Sequence, residues 1–557
     1  MKSKNTLYLI LVICFVALSF LFASCGPDQP SQSLDESKEL SVDESNNNES
    51  AAVSEDTVSE GSNEEDTSDA VIDESADEEN SDDTGDEESI DEEVSEDTVV
   101  DESPDEEVSE DTVSEESIEE EVSEDTVSEE SIKEEVSEDT VSEESIEEEV
   151  SEDESVEESD PFDPESEMVA VDVPILSITL HDQTDRVHQS YYVGATIQLK
   201  DPSRQYSTIY DYNAEIKIRG NSTSSGIKKP YNIKFSEKEN LLGLGESKKW
   251  YLLANLYDKT LMRNKLAYDL AQVLGLTNTS KCTYVDLYLN GVFQGNYLLC
   301  ESIGVGEDRV DINMDNNEFL FEYEPWVGYS NLAAFRTPRC GVLLGYNDRD
   351  DATPQQKEYL NEFFTKAERA LLDGDWDNIK KYFDVDSFVN HYLLNEFFKN
   401  VDIGTSSTRY YLKEGKLYAG PVWDLDLSTG NADQDYYGVI YSTENLHAKN
   451  GQWYKWFTKD QEFMKLVKER FVEMNDYLVN LYAQNELGYS RIDVLLAQFG
   501  ESFNDNFTKA PWKVWDKTSV LERIPEGTYE ENVEYLRGWF EGRYNWLVKQ
   551  WNIKIEN

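Results

Sequence analysis

The chain has 557 residues, with 119 acidic side chains against 47 basic ones and a formal net charge of −72. Sixty-three of the acidic residues fall in 26–168, where Lys38 and Lys133 are the only basic ones, so the remainder is a mildly acidic globule. This balance offers no basic footprint and excludes nucleic acid as a natural partner. His181, His188, His391 and His447 are scattered, which excludes a His-based zinc site, and no two of the five cysteines have C-x-x-C spacing.

Residues 1–25 place Lys2 and Lys4 before an apolar run from Leu7 to Ala23, the pattern of a secretory signal. Ala23-Ser24-Cys25 resembles the lipobox of bacterial lipoproteins, with Phe22 departing from the usual aliphatic residue. That resemblance implies acylation at Cys25, attachment to the membrane through lipid, and a place on the bacterial cell surface. The alternative is an uncleaved signal anchor, and either reading puts the rest outside the cytoplasmic membrane. Loss of Cys14 with the signal leaves Cys282, Cys300 and Cys340, which allow one internal disulfide without specifying its partners.

Residues 26–168 carry a 14-residue repeat, visible at Val94, Val108, Val122, Val136 and Val150. Two heptads per repeat raise the question of a coiled coil. Each repeat, however, offers only Val, Val and Ile among Asp, Glu and Ser, too little apolar surface to offset ordering entropy. The expectation is a disordered acidic stalk, extended by its own charge.

Residues 169–557 are predicted to form the folded domain. VAVDVPILSITL (169–180) is its first β-like run, and Glu215–Arg219 alternates as a strand. A Gly/Ser loop from Gly220 to Pro230 leads into a second strand at Tyr231–Phe235. Asp258 opens a helical stretch that stops at Gly275. TYVDLYLNGVFQGNYLLCES reads as a hairpin about Asn290-Gly291, the pair that suits a type I′ turn. Amphipathic helices follow at about 355–373 and 385–399, then the strand-like TRYYLK and KLYAGPVWDLDL, then helical stretches rich in Trp and Tyr. Strands first and helices later make an α+β domain.

The chemistry-bearing residues are acids. Asp402 follows a helix, and Asp424 and Asp426 are two apart in WDLDL, so an extended backbone would put both on one face. Held near a core, two such carboxylates either raise a pKa or share a cation. Asp ligands without nearby His favour Mg²⁺, Mn²⁺ or Ca²⁺. An EF-hand is excluded, because a loop starting at Asp424 puts Gly430 seventh rather than sixth and Asp435, not Glu, twelfth.

Five ordered blocks, IKIRGNSTSSGIKKPYNIKF, KKWYLLANLYDKTLMRNKLAYDLAQVLG, VDLYLNGVFQGNYLLCE, LLNEFFKNVD and SSTRYYLKEGKLYAGPVWDLDLSTGN, resemble the spore-coat protein H (CotH) kinase family. The resemblance implies an atypical protein-kinase-like two-lobed domain that transfers phosphate from ATP, with Mg²⁺ or Mn²⁺, to Ser/Thr hydroxyls of a protein substrate. By position, Asp402 would orient the acceptor hydroxyl, and Asp424, with Asp426, would hold the metal. Lys229 is the first choice for the nucleotide cation and Lys234 the second, with Arg219 a further candidate. Glu301, after the hairpin, corresponds to the hinge that meets adenine. Departures are Ser407 in place of the catalytic-loop Asn and the absence of Glu from the helix after Asp258. The competing expectation is a non-catalytic cell-surface binding or adhesion module that keeps the fold.

Overall fold

The computed structural model describes residues 168–182, 186–323, 333–347, 351–512 and 515–555. The signal-like segment, Cys25 and the stalk up to residue 167 lie outside the described residues.

The first half forms a closed barrel from β1 (Ile175–Leu180), β2 (Val193–Lys200), β3 (Ile209–Ile218), β4 (Tyr231–Asn240), β5 (Glu246–Leu253), β6 (Cys282–Leu289) and β7 (Val292–Glu301). Its order is β1-β2-β3-β4-β5-β7-β6, and a parallel pairing of β1 with β6 closes it. Alternation drives this arrangement: in β2, Val193, Ala195, Ile197 and Leu199 point inward, while the intervening residues face outward. Closure leaves no open edge on this sheet. Asn290 and Gly291 turn the β6–β7 hairpin with φ of 50° and 76°, the left-handed pair that a type I′ turn needs.

Between β5 and β6 lies α1 (Arg263–Val273). The helix predicted from Asp258 therefore starts five residues later. Asp258 accepts from the Thr260 N–H at 2.9 Å and the Arg263 N–H at 2.8 Å, closing a capped turn ahead of the helix.

The second half holds a five-stranded antiparallel sheet, β12-β11-β8-β10-β9, made from β8 (Phe319–Tyr323), β9 (Ala334–Arg336), β10 (Leu343–Tyr346), β11 (Thr408–Lys413) and β12 (Lys416–Ala419). Its longer helices are α2 (Pro354–Asp373), α3 (Trp376–Tyr382), α4 (Val385–Phe398), α5 (Gln461–Glu473), α6 (Asn475–Asn480), α7 (Arg491–Thr508) and α8 (Tyr529–Trp551). Capping boxes start α2 at Thr353, α7 at Ser490 and α8 at Thr528. Every residue of α4 from Phe388 to Phe398 is buried, so it runs through the middle of the helical region rather than along its surface.

Two apolar cores result. One fills the barrel; the other joins α1, the outer face of the β6–β7 hairpin, the second sheet and the helices. The fold is mixed α+β, with strands first and helices later.

Candidate functional site

A cavity of about 470 Å³ opens where the two cores meet. Its size is that of a small-molecule site. The Gly220–Thr223 loop, Ala254–Tyr257 after β5, Asn264 and Tyr268 of α1, Glu322 of β8, Asp402, Ser406, Ser407, Arg409, and the Trp423–Leu427 segment line it.

The acids are carried there by their apolar neighbours. Val401 belongs to the barrel core and Ile403 to the helical core, so Asp402 between them is held at the seam. Leu425 and Leu427 straddle Asp426 in the same way. Asp402 is fixed further by its turn: its N–H donates to Asn400 Oδ1 at 3.0 Å, and the Thr405 and Ser406 N–H groups donate to its carbonyl at 2.8 and 3.0 Å. WDLDL is not the strand its alternation suggested. Asp424 adopts a left-handed conformation, φ 65°, and this turn, not an extended pleat, aims both carboxylates into the cavity.

Charge is crowded here. Burial raises the Asp424 carboxyl, against the pull of Arg219, Arg409 and a hydrogen bond with Ser407. Asp426 is raised well above the ordinary range by burial, then by Asp424, Asp258, Asp402 and Glu522. The Tyr437 phenol beside them is raised as well, by burial and then by Asp402. Acids held like this keep a proton or share a cation.

Two guanidiniums answer part of that demand. Arg219, immediately before the glycine loop, lies 4.1 Å from the Tyr251 ring and 5.0 Å from the Trp423 ring. Arg409 lies 5.5 Å from the Trp423 ring and pairs with Glu322 at 2.6 Å. Its buried Nε has no hydrogen-bond partner.

Of the residues singled out from sequence, Asp402, Asp424, Asp426 and Arg219 converge on the cavity. Lys229 does not: its Nζ donates to Ser224 O at 2.8 Å and ties the loop to itself. Lys234 faces outward on β4 and pairs with Glu215 at 2.7 Å, about two-fifths exposed on each side. Glu301 is buried on the barrel wall, where it accepts from the Lys281 N–H at 3.0 Å, and burial pushes its carboxyl up to about 7. In each case the strand register, not sequence proximity to the loop, sets the direction of the side chain. Sequence reasoning missed Arg409, Glu322 and Asn264, which lie on elements far apart in the chain. It also missed Lys228, whose buried Nζ donates to Ala254 O at 2.8 Å, Asn296 O at 2.5 Å and Asn506 Oδ1 at 2.7 Å, pinning the loop exit to the segment after β5, to β7 and to α7. The signal for Lys228 was only its place beside Lys229 in the IKKP segment.

The donor set fits a divalent cation that arrives with its ligand. Among the described residues no group of three or more His, Cys, Asp or Glu is arranged to hold a metal by itself. Asp424 and Asp426 offer two carboxylates, and Mg²⁺ commonly takes one or two from protein and the rest from phosphate and water.

The cavity thus gathers a glycine loop, two guanidiniums and three aspartates from distant parts of the chain. Residues 216–547, more than half of the chain, match the family model described as CotH kinase protein, and the chain belongs to that family. A search among curated proteins finds no match.

Proposed function

We propose that this protein is an ATP-dependent protein kinase of the CotH type that phosphorylates Ser/Thr hydroxyls, with the barrel and the helical region acting as the two lobes of a kinase-like fold. The observation that carries this reading is the convergence of Asp402, Asp424 and Asp426 with Arg219 and Arg409 in one cavity, although they span just over two hundred residues of sequence.

Each group has a task in phosphoryl transfer, which is mainly positioning and charge stabilisation. Asp402, held in a rigid turn at the seam, accepts a hydrogen bond from the acceptor hydroxyl and orients it. Asp424 and Asp426 would hold Mg²⁺ or Mn²⁺, which when bound neutralises charge on the phosphate oxygens. Arg219 and Arg409 supply the positive charge that faces the transferring group. Glu322 keeps the Arg409 fork in place, the task that a helix Glu performs for a lysine in other kinases. Ser407 stands where those kinases carry Asn, and here it bonds to Asp424. The barrel loop Gly220–Thr223 covers the phosphates; Gly220 has φ 86° and a Cβ there would fall 2.2 Å from Thr223 Oγ1.

The chain as a whole reads as a surface enzyme: lipid at Cys25, an acidic spacer at 26–168, and a catalytic domain at 169–557 acting outside the cytoplasm on a protein substrate. One observation favours the non-catalytic surface module instead: among the described residues, no lysine lines the cavity. The test is transfer of labelled γ-phosphate by the full chain to itself or to a Ser-rich peptide with Mg²⁺ or Mn²⁺. Asp402→Asn should abolish transfer while nucleotide binding persists. Metal-independent labelling that is equal in wild type and variant would overturn the kinase reading. Nucleotide binding without transfer in wild type would favour the module.

A further inference from the structure

Cys282 begins β6, Cys300 lies one residue from the end of β7, and the antiparallel register sets them directly opposite each other. The adjacent pair, Lys281 and Glu301, is hydrogen-bonded, with the Glu301 N–H donating to Lys281 O at 3.3 Å. Bonded and non-bonded pairs alternate along an antiparallel ladder, so Cys282 and Cys300 form a non-hydrogen-bonded pair. Such pairs have Cα atoms about 4.5 Å apart and neighbouring side chains on one face. Both thiols are free in this structure, and disulfides span Cα separations of about 4.4–6.8 Å, a range that includes the spacing of such a pair. Cys340 stands elsewhere, in the turn between β9 and β10, its N–H donating to Glu368 Oε2 at 2.9 Å.

Both hairpin thiols are buried in the core beneath α1, 9% and 0% exposed. Burial pushes the Cys282 thiol up to about 12 and raises Cys300 as well. A thiol this far from its thiolate is neither a nucleophile nor a metal ligand in the folded protein. No catalytic use is left for the pair, while its geometry suits a covalent link.

We propose that Cys282 and Cys300 form a structural disulfide that staples β6 to β7. In the first step one thiol, as thiolate, attacks the disulfide of a dithiol-type oxidant and forms a mixed disulfide. The second thiolate then displaces the oxidant's sulfur. A Cys282–Cys300 bond forms, the oxidant's S–S bond breaks, and two protons and two electrons pass from the cysteines to leave two thiols on the oxidant. The exchange belongs to folding, before α1 packs over the hairpin. The link secures the wall on which α1 rests, and α1 carries Asn264 and Tyr268 into the cavity. The inference stands on strand register and burial and is independent of phosphoryl transfer.

The test needs no variant. The full chain is denatured, reduced, refolded in oxidised and reduced glutathione, alkylated in denaturant without reductant, and digested with trypsin. No Lys or Arg lies between Lys281 and Arg309, so both cysteines share the peptide 282–309. That peptide is expected to be unalkylated and lighter than its reduced form by two hydrogen atoms, with the Cys340 peptide alkylated. Two alkyl groups on 282–309, or a link from it to the peptides of Cys340, Cys14 or Cys25, would overturn the proposal. A Cys340→Ser chain removes the competing partner in the domain and must give the same lighter peptide; alkylation of both hairpin cysteines there would also overturn it.

Discussion

Asp424→Asn separates stability from catalysis at the cavity, because the same charge crowding that serves a metal strains the empty fold. The substitution preserves shape and removes one of the negative charges facing Asp426, whose carboxyl is raised by burial and then by Asp424. Two ionised carboxylates at a separation of about 5 Å would repel by about 3 kcal/mol at an effective dielectric constant near 20, an upper bound here because the raised Asp426 carboxyl favours its protonated form. Roughly half of that is offset by lost attraction to Arg219 and Arg409, the two cations that pull against burial at Asp424. The metal-free variant should therefore be more stable than wild type by at most about 1–2 kcal/mol, a rise of about 1–2 °C in Tm for a folded domain of this size. With a divalent ion and ATP the order reverses. A ligand at a hundred times its Kd stabilises wild type by about 2.7 kcal/mol, and the variant should lose most of that gain. γ-Phosphate transfer should fall by about a thousandfold or more. Scanning fluorimetry of the full chain, with and without Mg²⁺ and ATP, reads both effects. A variant less stable than wild type without ligand, or one that keeps the Mg²⁺-dependent shift, would refute the reasoning.

Other substitutions divide the remaining roles. Arg409→Met should slow transfer by about a hundredfold, whereas Lys234→Ala, which breaks a half-exposed pair, should leave transfer within about twofold and cost under about 1 kcal/mol; steady-state rates showing the opposite order would return the phosphate role to the lysine. Lys228→Met should raise the KM for ATP about tenfold with a smaller change in kcat, because buried acceptors at about 1–3 kcal/mol each lose their donor and the loop exit loosens; an unchanged KM would make Lys228 a packing residue only. Glu301 titrates in the fold near 7 against an ordinary value of 4.5, so its contribution to stability is full below pH 4.5 and lost as pH rises through about 7. Glu301→Gln should match wild type at pH 4.5 and exceed it at pH 8 by at most about 3 kcal/mol; a Tm gap that stays constant across that range would argue against a perturbed carboxyl.

Local chemistry was legible in the sequence wherever neighbouring residues decide it. The type I′ turn at Asn290-Gly291 needs only two residues that accept positive φ, and the helices after Thr353 and Asp384 announce themselves by apolar spacing, their side-chain caps being found in the fold. Asp424 stood out because an acid between large apolar residues has few cheap places to go, and Asp402 through its place after a helix and the family resemblance. The same logic marked Asp426, although the extended backbone inferred for WDLDL is in fact a left-handed turn.

Tertiary structure alone decided which cation faces those acids. Lys229, Lys234, Arg219 and Lys228 lie within sixteen residues of one another, and nothing local distinguishes them. Pairing of β3 with β4 turns Lys234 outward onto Glu215, burial draws Lys228 into the contact of the barrel with α7, and Arg219 is left to stack on Trp423. Arg409 and Glu322 meet only because β11 pairs with β8 across 87 residues of chain. A one-residue change of register would send every side chain of a strand to the opposite face. Residue type therefore told what chemistry the chain carries, while the closing of a barrel against a second core told which side chains share the cavity.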